Sequence, residues 1–227
     1  MVNKAPRRTA ERIRAAALDL FNRYGEPNVS TSQIADELGI SAGNLHYHYP
    51  AKEGLVNRLF DDYAGTLTTL LPAAGSVRDV EDAWFFMHSL FERIWAYRFL
   101  YRDLNLLLSR NRHLEAGMRQ ALQDQEAALR QLLASMRGSG ALRAAAPEDP
   151  GLATRQVVLL SYWLSYEFVL DPRHALEPEG LQRAALRGAG QALGLLLPYL
   201  APAQQEHLQH LLQAYETPSQ NPGVPRE

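Results

Sequence analysis

Cysteine is absent from the 227 residues, which excludes disulfides, thiolate nucleophiles and any zinc site built on sulfur, and suits a reducing compartment. Lysine is almost as scarce. Lys4 and Lys52 are the only two among 23 Lys and Arg, a bias that fits the codon composition of a GC-rich genome and makes the placement of Lys52 informative. Charge of one sign is also lacking: the net charge is −2 and the pI about 6.4, so the whole-chain balance by itself predicts no polyanion partner. No apolar run reaches the ~20 residues of a membrane span. The longest, Val157 to Leu170, carries Glu167, and Arg12 and Arg14 interrupt the region where a signal peptide would need its apolar stretch. A cytoplasmic protein without a membrane partner is expected. Hydrophobic residues at 46% and charged residues at 21% are ordinary globular values, and the length allows one or two domains with a sizeable core.

What is present reads as helix from end to end, an all-α chain without a useful alternating stretch. Ile13, Ala17, Leu20, Phe21 and Tyr24 recur at helical spacing and Gly25 is a natural stop. Ser30-Thr31-Ser32-Gln33 matches a capping box opening a short helix through Ile34 and Leu38 to Gly39. Ser41 caps a second short helix, which Pro50 closes by biasing Tyr49 away from helical geometry. Helices are then expected over about 52–71, from a cap at 76–79, over 99–110 and over 114–136. A loop follows at 138–151, then a helix capped by Asp149, others over 178–197 and 202–215, and a disordered tail.

Two short capped helices joined by Gly39-Ile40-Ser41 have the spacing of a DNA-binding helix-turn-helix. Gly39 permits the sharp turn, while Ile34, Leu38 and Leu45 face inward. The second helix presents Ala42, Gly43, Asn44, His46, Tyr47 and His48, short or flat side chains able to lie in a major groove. Ser30, Thr31 and Ser41 stand at helix N-termini, where backbone amides attract phosphate oxygens. Lys52 opens the following helix within reach of a flanking phosphate. Tyr49 reads as an aromatic plug between helices.

Residues 31–55, T-S-Q-I-A-D-E-L-G-I-S-A-G-N-L-H-Y-H-Y-P-A-K-E-G-L, resemble the DNA-binding signature of the tetracycline-repressor (TetR) family, and residues 16–25 are similar to that family's first helix. The resemblance implies that Thr31, Tyr47 and Lys52 grip phosphates, that Gly43 and Asn44 lie against base edges, and that His46 and His48 sit on or beside the groove. His46 stands where the family more often has tyrosine, and Pro50-Ala51 replaces the usual small polar residue, removing one helix cap. The implied organisation is a helix-turn-helix domain over residues 1–58, a helical effector-binding and dimerisation domain over 59–216, and a tail over 217–227. Residues 1–60 carry eight Lys and Arg against six Asp and Glu, and the remainder fifteen against nineteen. The near-neutral total therefore averages a mildly basic head and an acidic body.

The body is less informative. Eight aromatic residues between Trp84 and Tyr101 surround one helical stretch, the best wall for an apolar pocket, although plain core packing also explains each. Candidate pocket residues are His88, Phe91, Trp95, Arg98, Tyr101, Arg102, Asn105 and Tyr162; Arg98 and Arg102, four apart on one face, are placed to pair with an acidic ligand group, although a surface salt bridge is the commoner fate of such a pair. Val157, Leu160, Leu164 and Phe168 make one stripe and Leu186, Gly190, Leu193 and Leu197 another. These either form a two-fold four-helix bundle between subunits or close the protomer's own core.

Catalytic patterns fail. Gly188-Ala189-Gly190 has its next glycine, Gly194, one residue late for a dinucleotide loop and no preceding strand. No G-x-S-x-G elbow exists, and His207 and His210 lack a carboxylate-rich partner segment. No enzyme, cofactor or metal is expected. The expectation is a homodimeric regulator of double-stranded operator DNA, a repressor released by a small apolar or amphipathic effector. Control by a protein partner, absence of an effector, and activation instead of repression remain the alternatives.

Overall fold

The computed structural model describes residues 4–143, 149–172 and 178–216, and within them the chain is helical throughout. Helix α1 (Lys4–Tyr24) ends at Gly25, whose φ of 89° lies where only glycine is unstrained. A 3-10 turn (Glu26–Asn28) leads to α2 (Thr31–Leu38) and α3 (Ala42–His48). The capping box forms as the sequence predicts: the Gln33 amide donates to Ser30 Oγ and the Ser30 amide to Gln33 Oε1. Gly39 closes α2 in the left-handed region, and Ser41 Oγ accepts from the Asn44 amide to start α3. Ile13, Phe21, Ile34 and Leu45 are buried together, so α1, α2 and α3 share one core.

Helix α4 (Lys52–Leu70) joins this head to the body, burying Leu55, Leu59, Phe60, Tyr63 and Leu67 on its inner face. A 3-10 turn (Leu71–Ser76) takes over at Pro72. The body continues with α5 (Val80–Ala96), α6 (Arg98–Arg102), α7 (Leu104–Arg110), α8 (Arg112–Gly138), α9 (Leu152–Leu170), α10 (Pro178–Gly194) and α11 (Pro202–Glu216). Helix α10 packs on α5 and α9, and α8 on α4, α7 and α9. Leu90, Phe91, Leu129, Leu132, Leu160 and Leu193 fill the centre.

Three boundaries differ from the sequence reading. The helix expected over 99–110 is two helices broken at Asp103, whose carboxylate turns away to accept the Glu26 amide at 2.9 Å. Asp149 does not begin α9. Its side chain accepts from the Gly151 amide and also bonds Tyr199 and Arg155, so the helix starts three residues later, at Leu152. Helix α10 stops at Gly194, and Pro198 belongs to a separate 3-10 turn (Leu197–Tyr199). The 76–79 cap resolves to Asp79, which accepts from the Asp82 amide. The expected tail lies outside the described residues.

Candidate nucleic-acid interface and its link to the body

Helix α3 is pinned from beneath and open from above. Leu45 is fully enclosed, whereas Ala42, Gly43, Asn44 and His46 are exposed and Tyr47 is 77% exposed. Tyr47 is thus a large aromatic exposed on a well-capped helix. The half-buried His48 ring meets the Tyr47 ring edge-on at 5.2 Å. Thr31, partly exposed, opens α2 beside it. Ser30 and Ser41 have their hydroxyls committed as caps, so what the two helix N-termini offer outward is chiefly backbone N–H. Tyr49 packs against the core at the end of α3, as a plug should.

Lys52 has a further role that its position in the motif does not reveal. Its ammonium lies 2.7 Å from Glu26 Oε1 and donates to the carbonyls of Glu26 and Val29 at 2.9 and 3.0 Å. Three donors meet three acceptors, so the lysine clamps the turn between α1 and α2 to the first turn of α4. Ala51 supplies no side-chain cap there. Sequence reasoning missed this clamp because Glu26 looks like an ordinary turn residue.

The head is tied to α6 by a second set of contacts. Asn22 is buried and bonds both ways: its Nδ2 donates to the Ala96 carbonyl at 2.8 Å, and its Oδ1 accepts the Phe99 amide at 3.1 Å. Arg102 donates to the Phe21 carbonyl at 3.0 Å, placing a cation at the negative end of α1. A Cβ on Gly25 would stand 2.8 Å from Arg102 Nη2, so the glycine serves both its own backbone and the close approach of α6.

The candidate pocket residues do not form one pocket. Trp95, Arg98 and Arg102 line a void of about 30 Å³ together with Leu164, Phe168 and Glu167. Arg102, Tyr101, Asn105 and Tyr162 border an open cleft of about 630 Å³ on another side. Phe91 is core, and His88 keeps Nε2 3.4 Å from Glu92 with a buried, unpartnered Nδ1. Phe85 is 63% exposed, so the aromatic stretch is not buried all round. Tyr101 instead joins a buried polar group that sequence reasoning did not find. Its Oη lies 2.5 Å from that of Tyr63, and Gln125 Nε2 donates to it at 3.4 Å. Burial and the neighbouring hydroxyl push the Tyr63 phenol well above its ordinary pKa, and burial raises that of Tyr101. Tyr63 sits on the apolar stripe of α4, where nothing in the pattern separates it from a core residue.

Four of the eight residues in the two leucine-rich stripes are buried in the protomer and four are half-buried. Val157, Leu160, Leu193 and Gly190 are buried within the protomer, Gly190 against Leu212 of α11. Leu164, Phe168, Leu186 and Leu197 are half-buried. The reason is the packing of α9 and α10 on α5, α8 and α11, which uses these positions first. What α9 leaves to solvent lies about one residue further round: Val158, Tyr162, Tyr166 and Val169.

A capped helix-turn-helix carried on a larger helical body defines a DNA-binding regulator. Residues 13–59 match the model described as bacterial regulatory proteins, tetR family, and residues 62–208 match that of a TetR bacterial transcriptional repressor, so the chain belongs to the TetR family. It is 37% identical over 75 residues to the HTH-type transcriptional repressor BdcR of Escherichia coli (strain K12), a match covering 33% of this chain and 37% of that protein. A TetR-family regulator of Marinobacter aquaeolei VT8 superposes with a TM-score of 0.76 at 29% identity, over 92% of this chain and 99% of its own. A regulator of Saccharomonospora viridis solved with choline shares the fold at 19% identity and a TM-score of 0.60, over 84% of this chain and 96% of its own. Among the described residues no helix is long and apolar enough to cross a membrane.

Proposed function

We propose that this regulator acts as a homodimer on a pseudo-palindromic operator, repressing transcription until a small apolar or amphipathic ligand enters the body. The observation that carries this reading is the exposed upper face of α3, with Tyr47 bare on a helix anchored by buried Leu45. Asn44 and Gly43 then meet base edges, with His46 and His48 flanking them. Tyr47, Thr31 and the amides beside Ser41 and Ala42 meet phosphates. Lys52 acts mainly by holding the α1–α2 turn so that these groups keep their register.

Two-fold pairing follows from α9. Val158, Tyr162, Tyr166 and Val169 recur at helical spacing and stay exposed, an apolar face that a second copy covers. Two recognition helices one DNA turn apart read two half-sites, and a ligand that favours another spacing weakens the complex. The test is binding of the purified protein to duplex DNA from its own promoter region, with and without candidate metabolites. Saturable, sequence-selective binding that a metabolite weakens supports the reading. Equal binding to unrelated duplexes contradicts it.

A further inference from the structure

Arg98 forms no salt bridge among the described residues, although the Asp19 carboxylate acts on it electrostatically from farther off. Its guanidinium stacks over Trp95 with Cζ 4.3 Å from the ring centroid, and Nη1 reaches only the Trp95 carbonyl at 3.4 Å. Its Nε is buried and makes no hydrogen bond among the described residues. Among the described residues no carboxylate pairs with it: Glu167, which shares the same void, is held by Arg187 through two bonds of 2.9 and 2.6 Å. Desolvation, together with the charge of Arg102, lowers the Arg98 pKa to about 10 against an opposing pull from Asp19. Arg98 is half-buried, and leaving its enclosed Nε unmatched carries a cost that a matching ligand partly recovers on binding.

The geometry points to Arg98 as the anchor for the carboxylate of an amphipathic monoanion, held between α5, α6, α9 and α10. This rests on the effector reading above and narrows it to a chemical class. The void of about 30 Å³ holds a carboxylate head but not a large polyanion. Trp95, Leu164 and Phe168 form apolar walls of the same small void, so a chain or ring has to extend beyond it. Glu167 lines the void with its charge matched by Arg187 and opposes a dianion more than a monoanion, so the planar, singly charged carboxylate suits the guanidinium fork better than phosphate.

Arg102 gives the site a route to the DNA-binding head. It lines the same void and donates to the Phe21 carbonyl at the end of α1. Its neighbour Asp103 accepts the Glu26 amide, and Glu26 is the residue clamped by Lys52. A carboxylate that also draws on Arg102 loosens that arginine's hold on α1, which changes how the head sits on the body.

The test uses the full chain and two probe pairs: octanoate against octanamide, and phenylacetate against phenylacetamide. Binding is measured by calorimetry, and release of a labelled promoter duplex by anisotropy. The expected result is that at least one carboxylate binds about tenfold or more tightly than its amide, because a charge-assisted pair replaces an unmatched cation. It also releases the duplex, and Arg98→Gln abolishes the preference. Arg98→Lys, which keeps the charge but not the fork, retains part of it and serves if the first variant does not fold. Equal binding of acid and amide, binding of neither carboxylate, or a preference that survives Arg98→Gln overturns the assignment. If amides release the duplex and carboxylates do not, the effector reading stands and the anion site falls. If octanoate binds through Arg98 but leaves the duplex bound, the route through Arg102 is refuted.

Discussion

Arg102 on α6 donates to the carbonyl of Phe21 on α1 across 3.0 Å, so the body of this regulator holds its DNA-binding head by the end of one helix. Gly25 follows directly, with no room for a Cβ beside the guanidinium. Arg102→Met is expected to destabilise the fold by about 1–2 kcal/mol by uncapping α1. Gly25→Ala does so more severely, since it adds backbone strain to the clash. Thermal melts check both, and an unchanged melting temperature in Gly25→Ala would contradict the joint described.

Tyr101→Phe strands Tyr63 Oη and Gln125 Nε2 in the core, with an expected loss of about 1–3 kcal/mol by denaturant titration. The same group sets an alkaline limit. Both phenols have raised pKa values in the fold, so the folded chain keeps protons that the unfolded chain releases above about pH 10. Their contribution is complete below that pH and declines as pH rises past it. Replacing both tyrosines by phenylalanine flattens this alkaline decline.

Glycines separate by surroundings. A Cβ at Gly188 would press on Phe91 and stand 2.6 Å from Trp163 Cδ1, so Gly188→Ala costs about 1–3 kcal/mol through overpacking. Gly65 in α4 has open space, and Gly65→Ala gains about 0.5–1 kcal/mol from helix propensity. Opposite shifts in melting temperature are expected.

On the exposed face of α9, Tyr162→Glu is expected to yield monomers by sedimentation while leaving the helical spectrum intact, because Tyr162 is 61% exposed in the protomer. A dimer that persists through both Tyr162→Glu and Val158→Glu would place the two-fold contact elsewhere.

The head was legible from sequence because its signals are local. Ser30, Gln33, Gly39, Ser41 and Pro50 each act within a few residues, and each behaves in the fold as those rules require. The body's contacts are long-range. Nothing near Lys52 announces that its partner is Glu26, and nothing in the α9 pattern says which side α5 and α8 cover. Val157 and Val158 are equally apolar, and only tertiary packing buries the first and exposes the second. Asp103 broke an expected helix for the same reason, drawn to the Glu26 amide from 77 residues away.

Quantitative footprinting of the promoter region by the wild type, Tyr47→Ala and Asn44→Ala tests the central claim most directly, since both side chains are exposed and neither belongs to the core. The account predicts protection over two half-sites about ten base pairs apart. Tyr47→Ala should weaken binding to all sequences, and Asn44→Ala should relax discrimination at one base pair of each half-site, with melting temperatures unchanged. Wild-type affinity and selectivity in both variants would contradict it.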